Sequence, residues 1–275
     1  SEAELNGNTA SSNKDTETGR RNNSTVRSDD STPSEGDLKE DSILSDKDTE
    51  TEHLRPAPLA ASFQTLMTTR RTQSKFSLLE HEEQQLFLKS AIERAVVCAQ
   101  SAPNHHKTEP FFFKRIMAPS DSSRQLADIA SHVVYQKKLK KDPEHAQVHA
   151  TRKGEKWRKI PAFLVTLVKD NQEAQVLNNT NEYEPMEYKP PTTERQLEDY
   201  ASACAAIQNV LLSLHAEDIG TKWATGPVIH TPAFRKMIGA KQSDRVIGLI
   251  MAGLESQVSS KRRFRNSAED LLQDI

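Results

Sequence analysis

Between Leu197 and Ala216 the chain carries apolar or small residues at Tyr200, Ala201, Ala203, Cys204, Ala206, Ile207, Val210, Leu211 and Leu214. At helical spacing these positions wrap most of the circumference, whereas a surface helix needs one apolar stripe. The segment therefore predicts either a central core helix or a subunit interface, and its small residues allow close helix approach. On the interface reading, a charge at Ala206 or Ile207 is expected to impair dimerisation. Either way the rest of the chain must supply thick layers around it.

Those layers cannot come from the first fifth of the sequence. Residues 1–55 hold 14 Asp plus Glu against 7 Lys plus Arg and no Phe, Tyr or Trp, too little apolar surface to offset the entropy of ordering. They are expected to be a disordered, acidic, Ser/Thr-rich tail. Removing that segment's −7 from the whole-chain −2 leaves +5 on residues 56–275, which form the expected functional domain. At that length a single core hides roughly 70% of the surface of the unfolded chain.

Along this body, Phe63–Arg71 reads as a short helix followed by a polar turn ending at Phe76. A second helix is expected from Ser77–Glu80 onward, with Leu86, Leu88, Ile92, Ala95, Val96 and Ala99 at near-helical spacing. Phe111–Met117 reads as a strand, Ser120–Lys138 as an amphipathic helix, and 139–159 as a basic, solvated stretch. Ala162–Val168 is too short and β-branched for a helix and predicts a buried strand. Residues 170–195 predict a surface excursion, Arg245–Leu254 a strand, and Ser267–Leu272 a short terminal helix.

Several functional classes are disfavoured. There is no Gly-rich nucleotide loop and no G-x-S-x-G hydrolase elbow. The basic run Lys137–Lys159 contains Asp142, Glu144 and Glu155 and a single aromatic, Trp157, which argues against nucleic acid. No apolar run approaches the ~18 residues of a membrane span. Cys98 and Cys204 have no partner spacing and read as small core residues, which suggests a reducing compartment. The leader is acid-rich, unlike an organellar transit peptide, so a cytoplasmic location is expected, with organellar import as the alternative.

Three polar clusters remain. Arg70-Arg71-Thr72, with Lys75 nearby, offers planar forks and a hydroxyl suited to a phosphomonoester; Arg262, Arg263 and Arg265 form a second basic group. Ser101-Ala-Pro-Asn-His-His-Lys-Thr-Glu-Pro110 places hydrogen-bonding side chains between two prolines, as a fixed polar loop requires. Adjacent histidines diverge in most conformations and no third ligand lies nearby, so no metal is expected at His105 and His106. Trp223-Ala-Thr-Gly226, followed by Pro227, reads as a turn with accessible backbone N–H groups.

Taken in order, these segments resemble the nitroreductase family over about residues 62–272. Thr69–Phe76 is similar to its N-terminal Arg-Arg-Ser motif, Ser101–His105 to its flavin loop, Leu197–Gly226 to its long helix and flavin-side turn, Val246–Gly253 to its closing strand, and Arg265–Leu271 to its terminal segment. The resemblance implies an α+β fold, with a central, mostly antiparallel sheet, flanking helices and an interlocked homodimer. It implies FMN as cofactor and NAD(P)H as electron donor. Arg70, Arg71, Thr72 and Arg265 would hold phosphate, Ser101, Asn104 and His105 would reach the flavin, and Trp223, Ala224, Thr225 and Gly226 would line its ring. Where many members carry Lys beside the flavin N1/O2 edge this chain has Ser74, with Lys75 or Lys107 as substitutes. The implied activity is ping-pong reduction of nitroaromatics, quinones or similar small electron-poor acceptors, with no protein nucleophile. Reductive dehalogenation or enal reduction on the same scaffold, and a non-enzymatic flavin-binding or interaction protein, are the alternatives.

Overall fold

The computed structural model describes residues 58–169, 181–254, 267 and 271–272. The acidic tail, Arg262, Arg263, Arg265 and most of the expected terminal helix lie outside them. The elements run α1 (Pro58–Thr69), α2 (Glu82–Ala99), β1 (Phe111–Met117), α3 (Asp121–Leu139), α4 (Ala146–Arg158), β2 (Ala162–Lys169), α5 (Glu194–Ala216), β3 (Ile219–Ala224), α6 (Pro232–Met237) and β4 (Asp244–Leu254). The strands form one sheet in the order β1-β2-β4-β3, antiparallel at every pairing. The fold is α+β, as the resemblance implied.

Alternation on the central strands sorts the core into two layers. From β2, Ala162, Leu164 and Val168 join α2 and α5 on one face, while Phe163, Val165 and Leu167 join α3 and α6 on the other. A strand buried on both sides needs apolar residues at consecutive positions, which is why Ala162–Val168 lacks the polar alternation of a half-exposed strand. β4 changes parity where its pairing with β2 shifts between Thr166 and Leu167. That bulge leaves Gly248 beneath the indole of Trp223: a Cβ on Gly248 would lie 2.1 Å from Trp223 Nε1. The tryptophan packs where only bare backbone leaves room.

α5 resolves the choice posed by its apolar circumference. Ala203, Ala206, Ile207, Val210 and Leu214 are fully buried within the chain's own core, covered by α2 and the sheet. On this face it is a core helix, so a charge at Ala206 or Ile207 strikes folding first. Thr193 caps its start by accepting from Gln196 N, and Gln196 answers in a capping box. An ion pair between Arg94 and Glu217 and a hydrogen bond from Asn209 Nδ2 to Cys98 O (3.2 Å) tie it to α2. Cys98, read as a core residue, is exposed, because it flanks the buried stripe of Leu88, Ala91, Ile92, Ala95 and Ala99 and is not part of it.

Two further readings are corrected. The helix expected from Ser77–Glu80 begins at Glu82, with His81 as N-cap and Gln84 closing the capping box. The stretch 139–159 contains α4, whose buried residues are Ala146, Ala150, Gly154 and Trp157. Spacings of four, four and three make one narrow helical stripe, but small residues carry little hydropathy and the lysines between them hid it. The small stripe has a use: Ser131 on α3 donates to Ala150 O (2.8 Å), and a Cβ on Gly154 would sit 3.4 Å from Ser131 Cβ.

Lys153 on α4 lies over the Trp157 ring, 4.7 Å from its centroid. Burial first, then repulsion by Lys222 and Lys156, pulls its pKa from 10.5 to about 8. Folding thus holds a charge at a disadvantage below pH 8. Between about pH 8 and 10.5 the unfolded chain binds the extra proton, so this residue makes stability rise with pH across that window. Its partial exposure discounts the effect. Lys153→Met is expected to raise the melting temperature at pH 7 by about 2–4 °C and to flatten the rise above pH 8. A variant with an unchanged thermal profile at both pH values would show that Lys153 carries no such penalty.

Candidate functional site

The Arg-Arg-Thr segment leaves the end of α1 and docks on the outer edge of β3. Thr72 pairs in parallel with Thr221, and Gln73 N donates to Thr221 O at 2.8 Å. Gln73 is itself buried, and its Oε1 accepts from Ser74 N (2.9 Å) and Lys75 N (3.4 Å), holding the turn shut. Arg71 Nη1 donates to Thr68 O (2.6 Å) and to Arg70 O (2.9 Å), cationic capping of the final carbonyls of α1. Arg70 and Arg71 are half-buried, and Thr72 is exposed.

Trp223 and Ala224, expected in a turn, are the last residues of β3; the turn begins at Thr225. Ile219 and Trp223 face the α2–α5 layer, the period-2 signal of a strand, interrupted by Gly220 and Lys222. Trp223 Nε1 is buried without a hydrogen-bond partner. Thr225 and Gly226 are exposed, and no atom lies within 4 Å of the position a Cβ would take on Gly226. From Thr221 to Thr225 the strand advances about 13 Å, so the Arg-Arg-Thr turn and the Thr225–Gly226 turn stand at two points along one rigid strand.

Behind that turn, His230 hydrogen-bonds to the Thr225 backbone, while burial outweighs that bond and pulls its pKa below the usual histidine value; a neutral imidazole results. Its ring meets Tyr188 edge-on, with centroids 5.7 Å apart. Tyr200 lies near Tyr188 and Cys204, and burial is the main cause pushing its pKa up to about 12. Burial also raises the Cys204 thiol, against a smaller opposing effect of the Tyr200 hydrogen bond. A thiol so raised is a poor nucleophile at neutral pH. Neither His230 nor Gln73 had a local sequence signal, since each acts through a partner brought by the fold.

The 101–110 loop is pinned to the N-terminal part of α5. Asn104 Oδ1 accepts from Thr108 N (3.1 Å). The Thr108 hydroxyl lies 2.9 Å from both Asn104 Oδ1 and Asp199 Oδ1, and its single proton goes to the charged acceptor. Asn104 therefore spends its carbonyl inside the loop and keeps its amide N–H groups for something else. His106, Lys107 and Glu109 have φ of 57°, 52° and 43°, left-handed conformations that cost about 1–2 kcal/mol each for non-glycine residues. The Thr108–Asp199 clamp helps to offset that strain. His105 Nε2 faces Glu198 Oε1 at 3.7 Å, and Ser101 is exposed.

The structure thus brings Arg70, Arg71 and Thr72 onto the strand that carries Trp223, but leaves the loop of Ser101, Asn104 and His105 elsewhere on the chain. Thr69 at the end of α1 contacts His215 (3.1 Å), whereas the loop contacts Glu198 and Asp199. Those points lie some 25 Å apart along α5.

The profile of the Nitroreductase family matches residues 68–254, more than half of the chain and all four strands. The chain belongs to the nitroreductase family. A Haemophilus influenzae protein carrying the name of an NAD(P)H nitroreductase is 25% identical over 189 residues, 69% of this chain and 86% of its own length. A nitroreductase-like family protein from Bacillus cereus has the same fold, with TM-score 0.58 and 20% identity over 78% of this chain and 95% of its own. A nitroreductase-type protein of Desulfovibrio desulfuricans solved in complex with FMN superposes with TM-score 0.51 and 19% identity, over 80% of this chain and 98% of its own. Among the described residues no helix is long and apolar enough to cross a membrane.

Proposed function

We propose that this chain is an FMN-dependent oxidoreductase that takes electrons from NAD(P)H and passes them, by a ping-pong mechanism, to nitroaromatics, quinones or similar electron-poor acceptors. The observation that carries this reading is the pairing of Thr72 with Thr221. It sets two arginines and a hydroxyl at one point of β3 and an open turn at Thr225–Gly226 about 13 Å further on, a separation suited to a phosphate and to the ring it is tethered to. The related protein solved with FMN and the relative named for NAD(P)H point the same way.

The residues present fit the group. Arg70, Arg71 and Thr72 would bind its phosphate, with Arg265 as a further contact and Gln73 keeping the turn in shape. Gly226 leaves open the space that a side chain would fill, so backbone at Thr225–Gly226 can approach the ring closely. Trp223 and Ala224 would support the ring from the strand, and His230 would hold the Thr225 peptide in place. FMN, when bound, supplies the hydride-accepting and electron-donating centre. The chain's own work is to orient that centre, exclude water from it and supply donors to its electron-rich edge, a task for which Lys75 on the phosphate-side turn is the nearest cation in sequence.

The 25 Å along α5 between the loop and the Arg-Arg-Thr turn is more than one FMN molecule spans. Ser101, Asn104 and His105 would therefore serve the flavin of a second copy, completing a shared site in a homodimer. Exposed apolar side chains on α1 support this: Leu59, Phe63 and Met67 are 82%, 53% and 49% exposed and recur every four residues, one helical stripe that the described residues leave largely open.

The purified protein is expected to be yellow, to release FMN on denaturation, and to oxidise NAD(P)H when a quinone or nitroaromatic is added. A colourless protein that takes up no FMN when it is offered would overturn the reading and favour an interaction role.

A further inference from the structure

The two local objections to a metal at His105 and His106, diverging rings and the lack of a third ligand, are both removed by the fold. The left-handed His106 (φ 57°) turns the neighbouring rings toward each other, with centroids 3.9 Å apart and planes at 66°. Glu198, 93 residues away on α5, brings a carboxylate oxygen to 3.7 Å from His105 Nε2. One ligand atom from each of the three residues lies within 4.8 Å of the others. A tetrahedral first-row ion with bonds of about 2.0–2.2 Å holds its ligand atoms about 3.3–3.6 Å apart. The His105–Glu198 pair is already close to that value, and exposed imidazoles on rotatable χ angles can close the rest.

We propose that His105, His106 and Glu198 form a binding site for a zinc-class divalent cation that bridges the 101–110 loop to α5. Two imidazoles and one carboxylate are borderline donors that suit Zn²⁺; Mg²⁺ and Ca²⁺ require oxygen-rich sets, and soft monovalent ions require thiolates. The site is pre-organised independently of any ion. Asp199, the residue next to Glu198, already holds the loop through Thr108, so little ordering remains to be done on binding. Both histidines are exposed, which leaves a coordination position open to water. The site does not rest on flavin binding, yet is compatible with it: Nε2 of His105 faces Glu198, and a metal-bound imidazole keeps its other N–H to donate elsewhere.

Among the described residues this is the one group of three potential ligands that converges so closely. A second histidine pair, His145 and His149, faces Asp142 at 3.0 and 3.7 Å and serves as the control. The full chain, stripped with a chelator and titrated calorimetrically with zinc chloride, is expected to bind one equivalent tightly. His106→Ala and Glu198→Gln should each weaken that binding at least about tenfold, while His149→Ala leaves it unchanged and all variants keep the flavin absorbance of the parent. No one-equivalent binding in the parent, equal affinity in His106→Ala and Glu198→Gln, or weakening by His149→Ala would each overturn the site. Flavin content is read separately, so a colourless protein that still binds zinc in this pattern would remove the flavin reading and keep the metal.

Discussion

Replacing Arg70 and Arg71 together with alanine is expected to weaken FMN binding by about 3–5 kcal/mol, two to four orders of magnitude in Kd, if each guanidinium contributes a charge-assisted bond of the usual size. The two residues do not contribute alike. Arg71 already donates to Thr68 O and Arg70 O, so its removal also frays the last turn of α1, and the melting temperature should be followed beside the affinity. Arg70→Lys with Arg71→Lys preserves charge and loses the planar fork, and should recover only part of the loss. Flavin fluorescence quenching on binding gives the measurement. A double alanine variant that holds FMN as tightly as the parent would remove the phosphate from this turn.

Ala206→Glu and Phe63→Glu should fail in different ways. Ala206 is fully buried under α2, and an unpaired carboxylate there costs several kcal/mol. Against a total stability of about 5–15 kcal/mol, that leaves little or no folded protein. Phe63 is half exposed on α1, so a glutamate there should leave circular dichroism unchanged, while light scattering shows a monomer and FMN is lost with the partner's loop. A folded, monomeric Ala206→Glu would return α5 to the interface, and a flavin-loaded dimer of Phe63→Glu would take α1 out of it.

What could be read in advance follows from where the information sits. β2 and β4 are legible because a strand buried on both faces must be apolar at consecutive positions, β1 through its opening run of three phenylalanines although it lies at the sheet edge and is only half-buried, and α5 because its apolar residues wrap most of the helix. β3 was missed since Gly220 and Lys222 dilute its alternation, and α4 since its buried stripe is made of alanine and glycine. The three polar motifs were legible one by one. Their arrangement was not: the bond from Gln73 to Thr221 and the clamp from Thr108 to Asp199 join residues far apart in sequence, with no local trace of either partner. Glu198 entered by the same route, and it reverses the expectation that His105 and His106 lack a third ligand.

The contact between Trp223 and Gly248 also constrains how this sequence can drift. A methyl group at 248 would sit 2.1 Å from the indole nitrogen and expel the ring from its place over the bare backbone of β4. A small residue at 223 would uncover that bare backbone and lose the packing of a half-buried indole against the α2–α5 layer. Each single step is therefore blocked by the residue that the other position still holds. Lineages that descend from this chain should keep the pair intact or exchange both members together, so the two positions, 25 residues apart on neighbouring strands, behave in inheritance as one.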